Sequence, residues 1–212
     1  IVVLPLYPQY CAATNGSTFD AFAKELQQYR WIPEFKFISG YHLKPSYIDA
    51  MANSISDYIG TKGMPDILLF SYHGIPQKYL DRGDPYYCFC VQTTRLIQQK
   101  LKLEDDKVIT TFQSRFGKEQ WLQPYTDKTL QSLPTQNIKN VAVVCPGFSS
   151  DCLETLEEIK IENKEYFIDA GGENYDYITC LNDNPDHINM MYDLIEENLP
   201  NQYENITSHN IK

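Results

Sequence analysis

The sequence contains no apolar run approaching the roughly 18 to 20 residues that a membrane-spanning helix needs. Stretches such as Ile67 to Phe70 suit buried strands only, and the expectation is a soluble protein. Clusters of basic residues are also missing. Asp and Glu number 28 against 18 Lys and Arg, for a formal net charge of −10, which argues against a nucleic-acid surface and identifies no partner. The six cysteines form no C-x-x-C pair and no zinc-ribbon spacing. No secretory signal peptide is visible, so reduced thiols in a cytoplasmic protein are expected. There is no initiator Met and no lead-in, because Ile1-Val2-Val3-Leu4 reads as the middle of a buried strand. A fragment lacking its amino-terminal part is therefore expected. Internal repeats and low-complexity segments are absent.

What is present is a folded composition, with 42% hydrophobic residues over 212 positions, enough for one large or two small domains. Apolar strand patterns at Ile1 to Leu4, Phe35 to Ser39, Asp66 to Ser71, Val108 to Phe112, Val141 to Cys145 and Tyr175 to Thr179 alternate with helical ones. That alternation predicts an α/β fold with parallel sheets. Helix starts are expected at Ser17 with Asp20 as a capping box, at Pro45-Ser46, behind Asp84-Pro85, and near Ser149 to Asp151. The final helix is expected to reach Leu199, with a polar, frayed tail from Pro200 to Lys212. Parallel sheets place ligands outside the carboxyl ends of their strands. The loops to read are thus Pro5 to Gly16, Tyr72 to Pro85, Gln113 to Thr126 and Pro146 to Asp151.

His73 leaves a strand end just before Gly74 and Pro76, which demand a defined turn. An imidazole there can take a proton near neutrality or bind a borderline metal; a structural hydrogen bond is its plain alternative. His42, His187 and His209 lack that setting and read as surface residues. Glu154, Glu158 and Glu162 recur every four residues beside Glu157. On an α-helix this stripe drifts by about 40° per step, and by spacing alone it is a solvated face. A π-bulge would straighten it, and facing a cleft it would become a cation or proton path whose crowded carboxylates titrate high. Tyr7, Tyr10, Trp121 and Phe148 fall on the strand-end loops, where aromatics line slots for flat ligands or simply fill core. Arg115 is placed to pair a ligand carboxylate.

Six segments carry a resemblance: LPLYPQY (Leu4 to Tyr10), SYHGIPQKY (Ser71 to Tyr79), GDPYY (Gly83 to Tyr87), TFQSRFGKEQWLQPYTD (Thr111 to Asp127), CPGFSSDCLETLEEI (Cys145 to Ile159) and LNDNPDHI (Leu181 to Ile188). In this order they resemble ferrochelatases of Gram-negative bacterial type, from Ile1 to about Leu199. The resemblance implies two Rossmann-like, chelatase-type domains with a porphyrin cleft between them. Residues 1–43 would end an incomplete first domain, 44–178 form the second, and 179–212 give a helix packing back on the first, plus the tail. Roughly the first third of a typical member would be missing.

The same resemblance implies insertion of ferrous iron into protoporphyrin IX to form protohaem, the last step of haem biosynthesis. His73 matches the family's active-site histidine and Glu154 its glutamate, both facing the macrocycle centre, one receiving metal and the other pyrrole protons. Glu158 and Glu162 match the acid series behind them, while Tyr7, Arg115, Trp121 and Phe148 are expected to bind porphyrin. Iron is then a substrate, with no resident cofactor and no iron–sulfur cluster, since Cys88 and Cys90 form only a pair. Nucleic acid is not a partner, and any contact with a membrane or pathway enzyme is peripheral. The alternatives are a chelatase for another tetrapyrrole or metal, and a non-catalytic porphyrin binder or inert fragment.

Overall fold

The computed structural model describes residues 1–199, so expectations for the tail and His209 lie outside the described residues. Strands β1 (Val2–Val3) and β2 (Lys36–Phe37) pair in parallel as a small sheet. Helix α1 (Ser17–Leu26) and a π-helical turn at Ala12–Gly16 connect them. After α2 (Pro45–Lys62) comes β3 (Ile67–His73), then α3 (Gln77–Asp81), α4 (Tyr86–Leu101) and β4 (Val108–Gln113). Helix α5 (Thr126–Ser132), β5 (Asn140–Val144), a π-helix (Glu154–Glu162), α6 (Asn163–Asp169), β6 (Asn174–Ile178) and α7 (Pro185–Glu196) follow. The second sheet is all parallel, in the order β4-β3-β5-β6.

The near-continuous apolar character of β3 and β5 has a direct cause in this layering. Successive strand residues point to opposite faces, and both faces are covered. Leu68, Phe70, Ala142 and Val144 join one core with residues of α2, α4 and α7. Ile67, Leu69, Val141 and Val143 join the other with residues of α5, α6 and the π-helix.

Chain order places β4 on one side of β3 and β5 on the other. The crossover direction therefore reverses at β3, and the crevice outside its carboxyl end is where an open parallel sheet takes a ligand. His73 is the last residue of β3, two positions further along the strand than the sequence pattern extends it. It pairs in register with Gln113 of β4, whose carbonyl continues the ladder by accepting from Gly74 N at 2.8 Å.

Three local expectations are corrected. Ser17 has helical dihedrals (φ −66°, ψ −31°) because the chain is already helical before it. Its hydroxyl donates back to the carbonyls of Ala13 and Thr14 at 2.9 and 3.0 Å, so no capping box forms. The cap is instead Cys11, whose sulfur accepts from Ala13 N at 3.4 Å. Asp151 does not open the acidic helix, because its carboxylate is already held by Tyr177 Oη (2.6 Å) and Asn182 Nδ2 (2.8 Å). His42 and His187 are buried, not superficial. The first stacks on Phe89 at 3.9 Å between centroids, and the second shares its Nδ1 with the Asn182 carbonyl at 2.8 Å. Helix α7 lies against α2, with Met190 and Leu194 in their shared core.

Candidate active site

A cleft of about 980 Å³ opens where the strand-end loops of the large sheet meet the loop after β1. His73 arrives from β3, Phe148 from the turn after β5, Trp121 from the segment after β4, and Tyr7 from the loop after β1. Glu154 reaches it from the first turn of the π-helix. Four of the sequence-predicted aromatic and ionisable positions thus converge with Glu154 from elements distant in the chain.

The two walls are tied by buried polar contacts. Ser149 Oγ donates to the Leu6 carbonyl (2.8 Å) and shares a hydrogen bond with Tyr41 Oη (2.9 Å). Tyr47 Oη donates to the Pro146 carbonyl at 2.5 Å. Leu6, Tyr7 and Phe116 remain exposed on the cleft lining as an apolar border. Such a slot suits a flat, largely apolar ligand.

Gly74 is required by close approach. A Cβ there would stand 2.8 Å from the Gln113 carbonyl oxygen and 3.2 Å from Trp121 Cε3. The indole therefore packs flush against the turn that carries His73, and Phe116 covers it at 4.7 Å between centroids. His73 Nδ1 lies 2.6 Å from the Gly74 carbonyl. A carbonyl only accepts, so Nδ1 carries hydrogen, which leaves Nε2 as the ring nitrogen that can give or take a proton.

The Cys152 thiol and the residue's own backbone amide hold the Glu154 carboxyl below its ordinary range, and the His73 imidazole adds to them against partial burial. The expectation of a carboxylate titrating high at the head of the acid row is thus corrected. It fails because thiol, amide and imidazole favour the anion, while the next acid is turned elsewhere. Glu158 accepts from Ser114 N at 2.7 Å, Ser114 Oγ at 2.5 Å and Gln113 Nε2 at 3.3 Å. Glu162 and Glu157 are exposed. The row steps from the cleft to the protein surface.

The π-helical path changes the geometry of that row. In an α-helix four residues overshoot one turn; when each turn takes in an extra residue, four fall short of it, so the stripe drifts in the opposite sense. The wide turn is visible at its end, where Asn163 N and Asn163 Nδ2 both donate to the Glu158 carbonyl, the latter at 2.7 Å.

Arg115 is not brought to the cleft. Its guanidinium makes a two-pronged pair with Asp127 (2.5 and 2.8 Å) and lies 4.1 Å over the Tyr125 ring. Both of its binding modes are occupied, one by the first turn of α5 and the other by the loop before it.

A family model described as ferrochelatase matches residues 1–199. The chain belongs to the ferrochelatase family. It is 58% identical over 199 residues to a ferrochelatase of Pseudoalteromonas atlantica (strain T6c), an alignment covering 94% of this chain and 55% of that protein. A ferrochelatase of Hydrogenovibrio crunogenus is 56% identical over 195 residues, covering 92% and 52%. The chain thus spans about half the length of the curated relatives it matches. In fold it is similar to SirB from Bacillus subtilis, solved with Fe3+ (TM-score 0.65, 14% identity, 97% of this chain and 73% of that one). It is also similar to CbiX, the terminal enzyme of siroheme biosynthesis in denitrifying bacteria (TM-score 0.62, 13% identity, 94% and 76%). These likenesses support the chelatase-type α/β architecture of the chain.

Sequence reasoning missed several residues of the cleft. Tyr86 lines it and donates to the His73 carbonyl at 3.0 Å, and buried Gln9 lines it while donating to Thr93 at 3.1 Å. The GDPYY segment held a signal for the first, but read locally it is only a turn and a cap. No local pattern marks Gln9.

Proposed function

We propose that the complete protein carrying this chain inserts ferrous iron into protoporphyrin IX, forming protohaem at the last step of haem biosynthesis. The observation that carries this reading is the meeting of His73 and Glu154 in one apolar cleft bordered by Tyr7, Trp121 and Phe148. Metal insertion requires two pyrrole N–H protons to leave and a hydrated dication to shed water. An imidazole, in its neutral form, supplies one base or ligand through Nε2, and an anionic carboxylate the other. A slot that grips the macrocycle through aromatic faces can spend binding energy on buckling it, which exposes the nitrogens. Glu162, exposed behind the cleft, is where the acid row would meet solvent cations or release protons; Glu158 lies between them.

Iron is a substrate in this scheme, and no iron–sulfur cluster is invoked. The Cys88 and Cys90 pair falls short of the four thiolates a cluster needs, and an absorbance spectrum of the purified protein checks the point. No helix among the described residues is long and apolar enough to cross a membrane; any contact with a membrane or pathway enzyme is assigned to the exposed border residues. Cytoplasmic residence belongs to the same proposal.

The test is fluorimetric. Ferrous iron or zinc insertion into protoporphyrin IX is followed with the complete protein and with this 212-residue chain. Turnover by the complete protein is expected. Porphyrin binding without insertion by the complete protein would instead indicate a carrier.

A further inference from the structure

Gln113 is 2% exposed and sits between the two halves of the candidate site. Its backbone belongs to β4 as the register partner of His73, and its carbonyl fixes Gly74 N at 2.8 Å. Its side chain reaches the opposite way. Nε2 donates to the Glu154 backbone carbonyl at 2.8 Å and lies 3.3 Å from both Glu158 Oε2 and Ser114 Oγ. Oε1 accepts from Ser71 Oγ at 2.8 Å and from the Cys145 thiol at 3.6 Å.

The orientation of this amide is decided by its neighbours. The Glu154 carbonyl and the Glu158 carboxylate can only accept, so the NH₂ must face them, while the Ser71 hydroxyl and Cys145 thiol can donate to the oxygen. Every donor and acceptor of the amide is then used, which is the condition for burying it without loss. Ser71 is itself held by Thr126 Oγ1 at 2.9 Å, and that hydroxyl meets Thr111 Oγ1 at 2.9 Å. The strut therefore rests on β3, β4, α5 and the residue that follows β5 before it touches the π-helix.

We infer that Gln113 is a positioning residue: it sets the spacing between His73 and Glu154 by bracing the first turn of the π-helix against the carboxyl end of β3. The inference rests on the metal-insertion reading for its consequence, though the brace itself does not. Gln113 touches neither macrocycle nor metal in this scheme. Its amide also engages Glu158, so the middle acid of the row is a clamp on the Ser114 turn as well as a carboxylate near the cleft.

The experiment compares Gln113→Met, which keeps the length and loses every hydrogen bond, with the unaltered complete protein. The Met variant is expected to lower kcat for metal insertion by 10-fold or more while the porphyrin KM moves less than 3-fold. Amide exchange across residues 154–162 should accelerate, with exchange in β3 and β5 unchanged. A kcat within 2-fold of the unaltered protein overturns the inference, as does a kcat loss matched by a general rise in exchange throughout the sheet. If Gln113→Met does not fold, Gln113→Glu serves: it retains an acceptor for Ser71 and loses the donor to Glu154, and the same kcat-against-KM split is required of it. If the unaltered complete protein inserts no metal, the metal-insertion reading fails. The exchange pattern over 154–162 then decides the brace alone.

Discussion

The carboxylate of Asp84 accepts a hydrogen bond from the backbone N–H of Ala12, 72 residues away in sequence, at 2.8 Å. Its other oxygen accepts from Tyr86 N at 3.0 Å and so caps α4. One side chain thereby fixes the starts of two helical segments that flank the cleft: α4, whose Tyr86 holds the His73 carbonyl, and the π-helical turn behind Tyr7 and Gln9. In sequence Asp84 shows only the cap.

That double role gives a stability prediction. Asp84→Ala removes an N-cap and a charge-assisted bond, and should destabilise the fold by about 1–3 kcal/mol. Asp84→Asn keeps a capping oxygen and should lose less. Urea unfolding followed by circular dichroism measures both, and equal losses for Ala and Asn would refute the cross-link.

His73 carries a different expectation. Its imidazole is half-buried and, among the described residues, bonded only to the adjacent Gly74 carbonyl. Replacing it with Ala should abolish metal insertion by the complete protein while moving the thermal midpoint by no more than a few degrees. Normal turnover in the variant would remove His73 from the site.

The acid row should grade by distance from the cleft. Glu154→Gln should reduce turnover severely, since it neutralises the carboxylate that its surroundings keep ionised. Exposed Glu162→Gln should be mild. Glu158→Gln should fall between them and loosen the Ser114 turn, seen as faster amide exchange there. Steady-state rates with saturating porphyrin separate the three.

Gly74 is predicted to be intolerant for packing reasons alone. Gly74→Ala places a methyl 2.8 Å from a backbone oxygen and against the Trp121 ring, and such overpacking costs about 1–3 kcal/mol. Trp121 is 5% exposed whereas Trp31 is 89% exposed. With Trp31→Phe as background, Gly74→Ala should shift the emission of Trp121 to the red. An unchanged spectrum would mean the turn absorbs the methyl elsewhere.

Acid stability should depend on Asp151. Burial pushes its carboxyl up, but hydrogen bonds from Tyr177 and Asn182 outweigh it and hold the pKa below the ordinary value. A depressed folded-state pKa contributes stability that is complete above the unfolded value, about 3.9, and disappears as pH falls through the folded one. The stability difference between the unaltered chain and Asp151→Asn should therefore be constant near neutrality and shrink below about pH 4. Urea midpoints at pH 7, 4 and 3 check the sign.

Much of the architecture was legible in the chain. Continuous apolar runs such as Ile67 to Phe70 and Val141 to Val144 mark strands buried on both faces, and the helical segments between them force parallel pairing. A strand-end histidine ahead of Gly74 and Pro76 announces a defined turn. The ordered motifs then assign His73 and Glu154 their expected parts. Arg115 misled, because an arginine on a ligand-side loop looks free until its partner Asp127 is folded beside it. Ser17 misled for a local reason, the helix having already begun at Ala12.

The composition and periodicity of this sequence determined the α/β class, the covered sheet and the loops that meet at its carboxyl edge, since those follow from side-chain burial at fixed local spacing. Only the tertiary structure decided which groups are engaged. Gln113 became a brace, Asp84 a cross-link and Glu158 a clamp through partners 41 to 72 residues away. Hydrogen bonds between side chains and distant backbone leave no periodic signature, because they depend on where chain closure brings each donor and acceptor.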